Sequence, residues 1–383
     1  MNSNSAPPAP SVLAGSLGDY AIDARSGFVP GVDPVGRLSA RYQPWERIGA
    51  ELSPLIRSRS VRAELAALPM IDPLALATHA ERERALLLLT VFANAWVWGG
   101  AEPNLRIPSQ LAEPLCALAR TMDRPPIVHY ASMALNNWRR IDTRRALSVG
   151  NARMQIQFLG GVDEDWFFIA SIGVEIGGAP LLPLAHAATE ASHRLDDDAL
   201  AGLLGQIAAG MDPVIEALER TRDWCDPYVF YHRVRPFLAG WPNPGVVYEG
   251  VSKTPQKYVG GSAGQSSLIQ VIDALLGVSH SAQTDRYLRG VRNYMPVPHR
   301  RFLTDIENNS RVRKRAEIGP ATLRAAYNAA VAQVDLFRRQ HIALAHDYIS
   351  KPSGMAADEK GTGGTSFADF LRDAQLATAR TTL

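Results

Sequence analysis

Cysteine is nearly absent. Cys116 and Cys225 are the only two in 383 residues, which excludes a disulfide framework and the paired-cysteine zinc patterns. An excess of one charge is absent too: the formal net charge is +2 with no long run of either sign, so bulk electrostatics predicts neither nucleic acid nor an anionic membrane as a partner. The opening "MNSNSAPPAPSVLAGS" has no basic segment leading into an apolar core. No secretory signal is expected, and the cytoplasm is the default location. Little of the chain alternates with a period of two, and no internal repeat is visible.

Long apolar runs are few. Residues 85–100, "ALLLLTVFANAWVWGG", are too short to cross a bilayer comfortably. Residues 166–188 are long enough but contain Glu175, Pro180 and Pro183. A buried helix ending near 177–180 is the expectation, not a membrane span.

What is present is helical periodicity. Residues 1–40, rich in Pro, Gly and Ser, read as an irregular, partly disordered N-terminal arm. Residues 41–155 read as a smaller, mostly helical N-terminal domain, with amphipathic segments over 42–68 interrupted at Pro54 and longer helices near 79–98 and 108–123. Around 144–166 the pattern turns to small residues and short alternation, fit for a brief hairpin or a linker at a domain boundary. Residues 156–383 read as a larger helical domain, with helices expected over 166–178, 195–221, 265–278, 283–293, 299–308 and 320–349. The fold class is mainly α.

The stretch "RRQHIALAHDYISK" (338–351) carries two histidines five positions apart. At 3.6 residues per turn they point about 140° from one another, so they cannot grip one metal ion together. With His341 at zero, Val334, Phe337, Leu344, Ala345 and Tyr348 fall within about 60° of it on the helical wheel. His341 therefore sits in the middle of the apolar stripe. His346 shares its face with Asp335, Arg339 and Ser350 and is expected to meet solvent. Two accounts of His341 stand open: a core histidine satisfied by backbone or hydroxyl partners, or an axial ligand to haem. The second needs a neutral imidazole in an apolar wall and cations near the rim for two propionates, and Arg338, one turn earlier, could supply one.

Other stretches bear on the choice. In order along the chain they are "ANAWVWGG", "WFFIASIGVEIGGAP", "RVRPFLAGWPNPGVVYEGV", "VGGSAGQSSLIQVIDALLGV", "RNYMPVPHRRFLTDIENNSRVR", "HIALAHDYI" and "EKGTGGTSFADFL". Together, over roughly residues 90–375, the chain resembles the indoleamine 2,3-dioxygenase family of haem enzymes. The resemblance implies a smaller N-terminal domain and a larger all-α haem-binding domain. It also implies haem b, and insertion of O2 across the indole C2–C3 bond of L-tryptophan or a related indoleamine to give N-formylkynurenine. An electron donor that keeps the iron ferrous is implied as well.

Position by position, the resemblance makes His341 the proximal iron ligand, and Arg338 with Asp273 a cation–carboxylate pair near a propionate. By spacing alone Asp273 shares a polar face with Gln270 and would be solvent-exposed. Phe167, Phe168 and Ser171 match the distal wall. Ser262, Ala263 and Gly264 match a loop beside the macrocycle, where glycine permits close approach and positive φ. On the residues alone this loop is equally a turn into a helix capped by Ser266 or Ser267. Arg235 matches the arginine that recognises substrate, with Phe230 and Tyr231 as aromatic wall; on the residues alone it is equally a surface arginine. A guanidinium can clasp a carboxylate through two parallel hydrogen bonds. Thr362 and Gly363, in "GTGGT", match a mobile loop closing over substrate, with Thr362 near its ammonium group. Two departures bear on the pocket. Pro236 disfavours α geometry at Arg235, and Trp96 stands where the family often has tyrosine, which would narrow the indole site. Rivals remain: a single-oxygen insertion or rearrangement of a tryptophan derivative on the same fold, and a non-catalytic haem or indole sensor.

Overall fold

The computed structural model describes residues 12–354 and 367–383. Residues 12–40 follow the irregular path expected, but they are not loose. Tyr20 is fully buried, packs on Phe302 with ring centroids 5.1 Å apart, and donates its hydroxyl to Asp305 at 2.6 Å. Proline and glycine kept this segment from regular structure without removing the apolar residues that dock it.

The N-terminal helices are α1 (Gln43–Arg57), α2 (Val61–Ala66), α3 (His79–Trp98) and α4 (Ser109–Thr121). α1 runs through Pro54 and breaks only after Arg57, which corrects the expected interruption at that proline. α3 opens on a capping box: Thr78 Oγ1 accepts from the Glu81 amide and Glu81 Oε2 from the Thr78 amide. Every residue from Glu83 to Ala95 in α3 is buried, so it forms the centre of this half. Its buried arginine, Arg84, reaches the buried Glu46 at 2.7 Å. Strand is scarce among the described residues. Short β1 (Arg106–Ile107) pairs in parallel with β4 (Val247–Tyr248), and β2 (Trp138–Arg140) pairs antiparallel with β3 (Ala152–Met154). The second pair is the brief hairpin that the alternation near 144–166 allowed, displaced toward the N-terminus.

The chain then becomes helical: α5 (Val162–Gly177), α6 (Leu181–Arg194), α7 (Asp197–Gly210) and α8 (Asp212–Glu219). α5 ends where expected, but the apolar run continues as α6, which the sequence reading missed. By length and composition Val162–Arg194 could cross a membrane, yet 56% of its apolar window is buried inside the protein. The long helix expected over 195–221 is two helices, because Pro213 cannot donate a backbone hydrogen bond at the start of α8. Short α9 (Thr221–Trp224), α10 (Pro227–Val229) and α11 (Arg235–Leu238) lead to α12 (Leu268–Leu276), α13 (Ala282–Arg292), α14 (Val297–Asn309) and α15 (Val312–Ile318). The 25-residue α16 (Ala321–Ala345) packs along α7, α8 and α17 (Phe367–Ala379). The fold is mainly α.

Candidate functional site

α5 and α16 face a shared cavity. α5 is fixed at its N-terminus by Glu164, a buried carboxyl that accepts from the amides of Phe158, Leu159 and Gly160 at 2.6, 2.9 and 3.0 Å. This clamp holds the preceding turn and sets the rotation of the helix. Phe167, Phe168 and Ser171 consequently line the cavity. Phe167 packs edge-on against Phe168 at 5.2 Å and against Phe230 at 4.4 Å, so three rings form a continuous apolar wall. The Ser171 hydroxyl donates to its own helix, at the Phe167 carbonyl 3.0 Å away.

His341 lines the same cavity from α16. Its ring lies 6.0 Å from Phe337, and neither nitrogen has a hydrogen-bond partner among the described residues. Burial, with the Arg338 charge adding to it, pushes the imidazole down to about 4, so it is neutral at physiological pH with a free lone pair. The reading as a satisfied core histidine is therefore not met. His346 is exposed, as the wheel indicated.

One turn before His341, Arg338 pairs with Asp273 of α12. Asp273 is buried, against the exposure its spacing implied, and His280 approaches the same carboxylate oxygen as Arg338, at 3.2 Å. Burial alone would raise this carboxyl, but the Arg338 charge and the His280 contact outweigh it and hold it below the usual range. Arg338 Nε remains buried without a partner, a donor in reach of one more acceptor.

Ser262, Ala263 and Gly264 lie on the cavity wall in a turn that leads into α12. No glycine from 260 to 264 has positive φ, so the expected conformational reason does not apply. Close packing of the protein's own backbone is found beside the turn, at Gly260. A Cβ on Gly260 would overlap the Leu238 carbonyl oxygen. Ser267 occupies the N-cap of α12 without a side-chain cap bond, and Ser266 Oγ, one position earlier, accepts from the Leu268 amide at 3.2 Å.

Arg235 also reaches the cavity, with its guanidinium 5.1 Å from the centre of the Tyr231 ring. Burial lowers its pKa from the ordinary arginine value. Contrary to the expectation from Pro236, Arg235 has α geometry, at φ −53° and ψ −39°. The preceding five residues, Phe230–Val234, form a π turn closed by the Arg235 amide donating to the Phe230 carbonyl. Tyr231 backs the arginine and does not line the cavity. Trp96 does not line it either: its indole donates to the Arg106 carbonyl at 2.6 Å, so it leaves the site's width alone. Thr362 and Gly363 lie outside the described residues.

The sequence reading missed Tyr130, Met133, Tyr287, Leu344 and Tyr348 on the wall. Leu344 and Tyr348 were within reach, since they share the wheel stripe of His341. Tyr130 had no comparable signal. Among the described residues no three His, Cys, Asp or Glu side chains gather as a metal site, so any metal here rests on His341 and on donors from a bound group.

A second histidine, His129, lines the cavity, but its Nδ1 lies 2.6 Å from the Ser132 hydroxyl; a helical protein with one unpartnered neutral imidazole in an aromatic-walled apolar cavity has the makings of an enclosure for a large, flat ligand. Comparison with known proteins is specific. Residues 16–381 match the family described as indoleamine 2,3-dioxygenase. The chain is 34% identical to indoleamine 2,3-dioxygenase 1 of Rattus norvegicus over 96% of both chains. It is 34% identical to an indoleamine 2,3-dioxygenase of Aspergillus nanangensis, over 92% of this chain and 94% of the relative. It is also 30% identical to a 6-hydroxytryptophan 2,3-dioxygenase of Fusarium equiseti, over 94% and 96%. The chain belongs to the indoleamine 2,3-dioxygenase family, whose members are oxidoreductases.

Proposed function

We propose that this protein is a haem-dependent dioxygenase that inserts both atoms of O2 across the indole C2–C3 bond of L-tryptophan or a related indoleamine, giving N-formylkynurenine. The observation that carries the reading is His341: a neutral, partnerless imidazole facing an apolar cavity large aromatic rings enclose. The donor set suits haem b. His341 would hold the iron, Arg338 Nε is a buried donor still lacking a carboxylate acceptor, and the Ser262–Gly264 turn offers a wall with little side chain. Haem, when bound, supplies the reduced iron at which dioxygen is activated, and an electron donor is needed to keep it ferrous.

The chain's own residues bind, orient and exclude water. Arg235 clasps the amino-acid carboxylate through paired hydrogen bonds, and Tyr231 stiffens it from behind. Phe167, Phe168, Phe230 and Ala263 confine the indole ring in a dry site, which fixes the C2–C3 edge in one orientation. Ser171 has its proton engaged by the Phe167 carbonyl, and no essential proton transfer is assigned to it. Thr362 and Gly363 are assigned to the substrate's ammonium group and to a closing loop on the family resemblance alone. A cytoplasmic site of action fits a protein that needs a cellular reductant.

The test is turnover of tryptophan under ¹⁸O2 by the ferrous haem-loaded protein, with 6-hydroxytryptophan in parallel. Two labelled oxygens in the product are expected. One labelled oxygen would move the assignment to hydroxylation, and a normal haem spectrum with no turnover of either substrate would leave a haem-binding sensor.

A further inference from the structure

One buried acid beside the cavity has no part in the scheme above. Glu175 lies on α5 one turn beyond Ser171 and is 2% exposed. Its Oε1 accepts two hydroxyls, from Tyr130 at 2.9 Å and from Ser266 at 2.6 Å. Its Oε2 is buried with no partner, and no ion pair reaches it among the described residues. An ionised carboxylate so placed would carry an uncompensated charge in an apolar interior, and protonation removes that cost. Burial raises its pKa, in the same sense.

The three groups come from three parts of the wall. Tyr130 lines the cavity from the turn after α4, and its amide donates to Gln265 Oε1 at 2.8 Å. Gln265 in turn donates to the Gly260 carbonyl at 2.8 Å, and Gln270 donates to that of Gly264 at 3.0 Å. The Ser262–Gly264 turn is thus tied to Tyr130 through the backbone side and to α5 through Glu175. Tyr130 is held at both ends, with its hydroxyl drawn out of the cavity.

We propose that Glu175 is a positioning residue: as a neutral carboxyl it sets the separation between the α5 wall and the Ser262–Gly264 turn, and so the slot a planar substrate enters. The inference rests on the dioxygenase reading for its substrate, but not for its structural part. Glu175 touches neither substrate nor cofactor and acts through Tyr130 and Ser266.

The test compares Glu175→Gln, Glu175→Leu, Tyr130→Phe and the double variant Glu175→Leu/Tyr130→Phe in the haem-loaded protein. Glutamine keeps the shape and an acceptor oxygen, so KM for tryptophan should stay within about threefold of wild type. Glu175→Leu should raise KM about tenfold with kcat changed less than about threefold, since ligand fit and not chemistry is altered. Tyr130→Phe should shift KM in the same direction, and the double variant should match Glu175→Leu within about twofold, because both remove one shared bond. Amide hydrogen exchange without substrate should quicken in 128–133 and 262–268 for Glu175→Leu and not for Glu175→Gln. Should Glu175→Leu not fold, Tyr130→Phe/Ser266→Ala breaks the same two bonds and takes the same measurements. Unchanged KM and exchange in the bond-breaking variant, or effects that multiply in the double variant, overturn the proposal. Exchange is read without turnover, so a wild type inactive on tryptophan would sink the function and leave this result standing.

Discussion

Each wall of the cavity hides one carboxyl, and the two are pushed in opposite directions. On the α16 side Asp273 is buried with Arg338 and His280 against it, and it stays ionised. On the α5 side Glu175 is buried as deeply with only two hydroxyls for company, and it is raised toward the neutral form. Burial is common to both, so the partner decides the charge. The consequence is a polarised enclosure. The side carrying His341 is backed by a buried ion pair, while the side carrying Phe167, Phe168 and Ser171 turns apolar rings to the cavity.

The comparison can be broken from either side. The largest effect is expected from His341→Ala, which should abolish the haem Soret band and lower turnover more than about a hundredfold, with far-UV circular dichroism unchanged. Next is Arg338→Leu, which leaves Asp273 with a single partner; chemical denaturation should show a loss of about 3 kcal/mol. Glu175→Gln, by contrast, should cost under about 1 kcal/mol, because no buried charge is stranded. Arg235→Leu should lower kcat/KM for tryptophan about thirtyfold, chiefly through KM, with the haem spectrum intact.

A pH experiment sharpens the α16 side. His341 sits near 4 in the folded protein and near 6.5 when unfolded, so between these values the unfolded chain binds the extra proton. Its contribution to stability is complete above about 6.5 and is lost as pH falls toward 4. In the haem-free protein, the drop in unfolding free energy from pH 7 to pH 4 should therefore be smaller for His341→Leu than for wild type. The smallest effect is expected from Ser171→Ala: turnover should change no more than about threefold, since the hydroxyl serves its own helix.

How much of this was legible in the sequence follows the reach of each interaction. His341 could be placed because the wheel of its own helix shows it inside the apolar stripe. Helix α3 was legible because its apolar run is continuous and its capping pair is local. Asp273 was misread from spacing because the partner that buries it, Arg338, lies 65 positions away. Glu175 served in the sequence only to argue against a membrane span, since its partners Tyr130 and Ser266 are 45 and 91 positions distant. The prolines misled in two directions: Pro54 is accommodated within α1, and Pro236 is accommodated by a π turn, neither of which a residue-by-residue propensity anticipates.

That π turn at Phe230–Val234 has a consequence for how such a pocket can diversify. A wider coil takes in one residue more than an ordinary one, so deleting a single residue there would close it to an ordinary turn and leave the chain that follows in register. Arg235 would keep its bearing, while the residues inside the turn would each shift by one place. A one-codon change in this turn is thus a compact means of remodelling the wall beside Arg235 without moving the arginine.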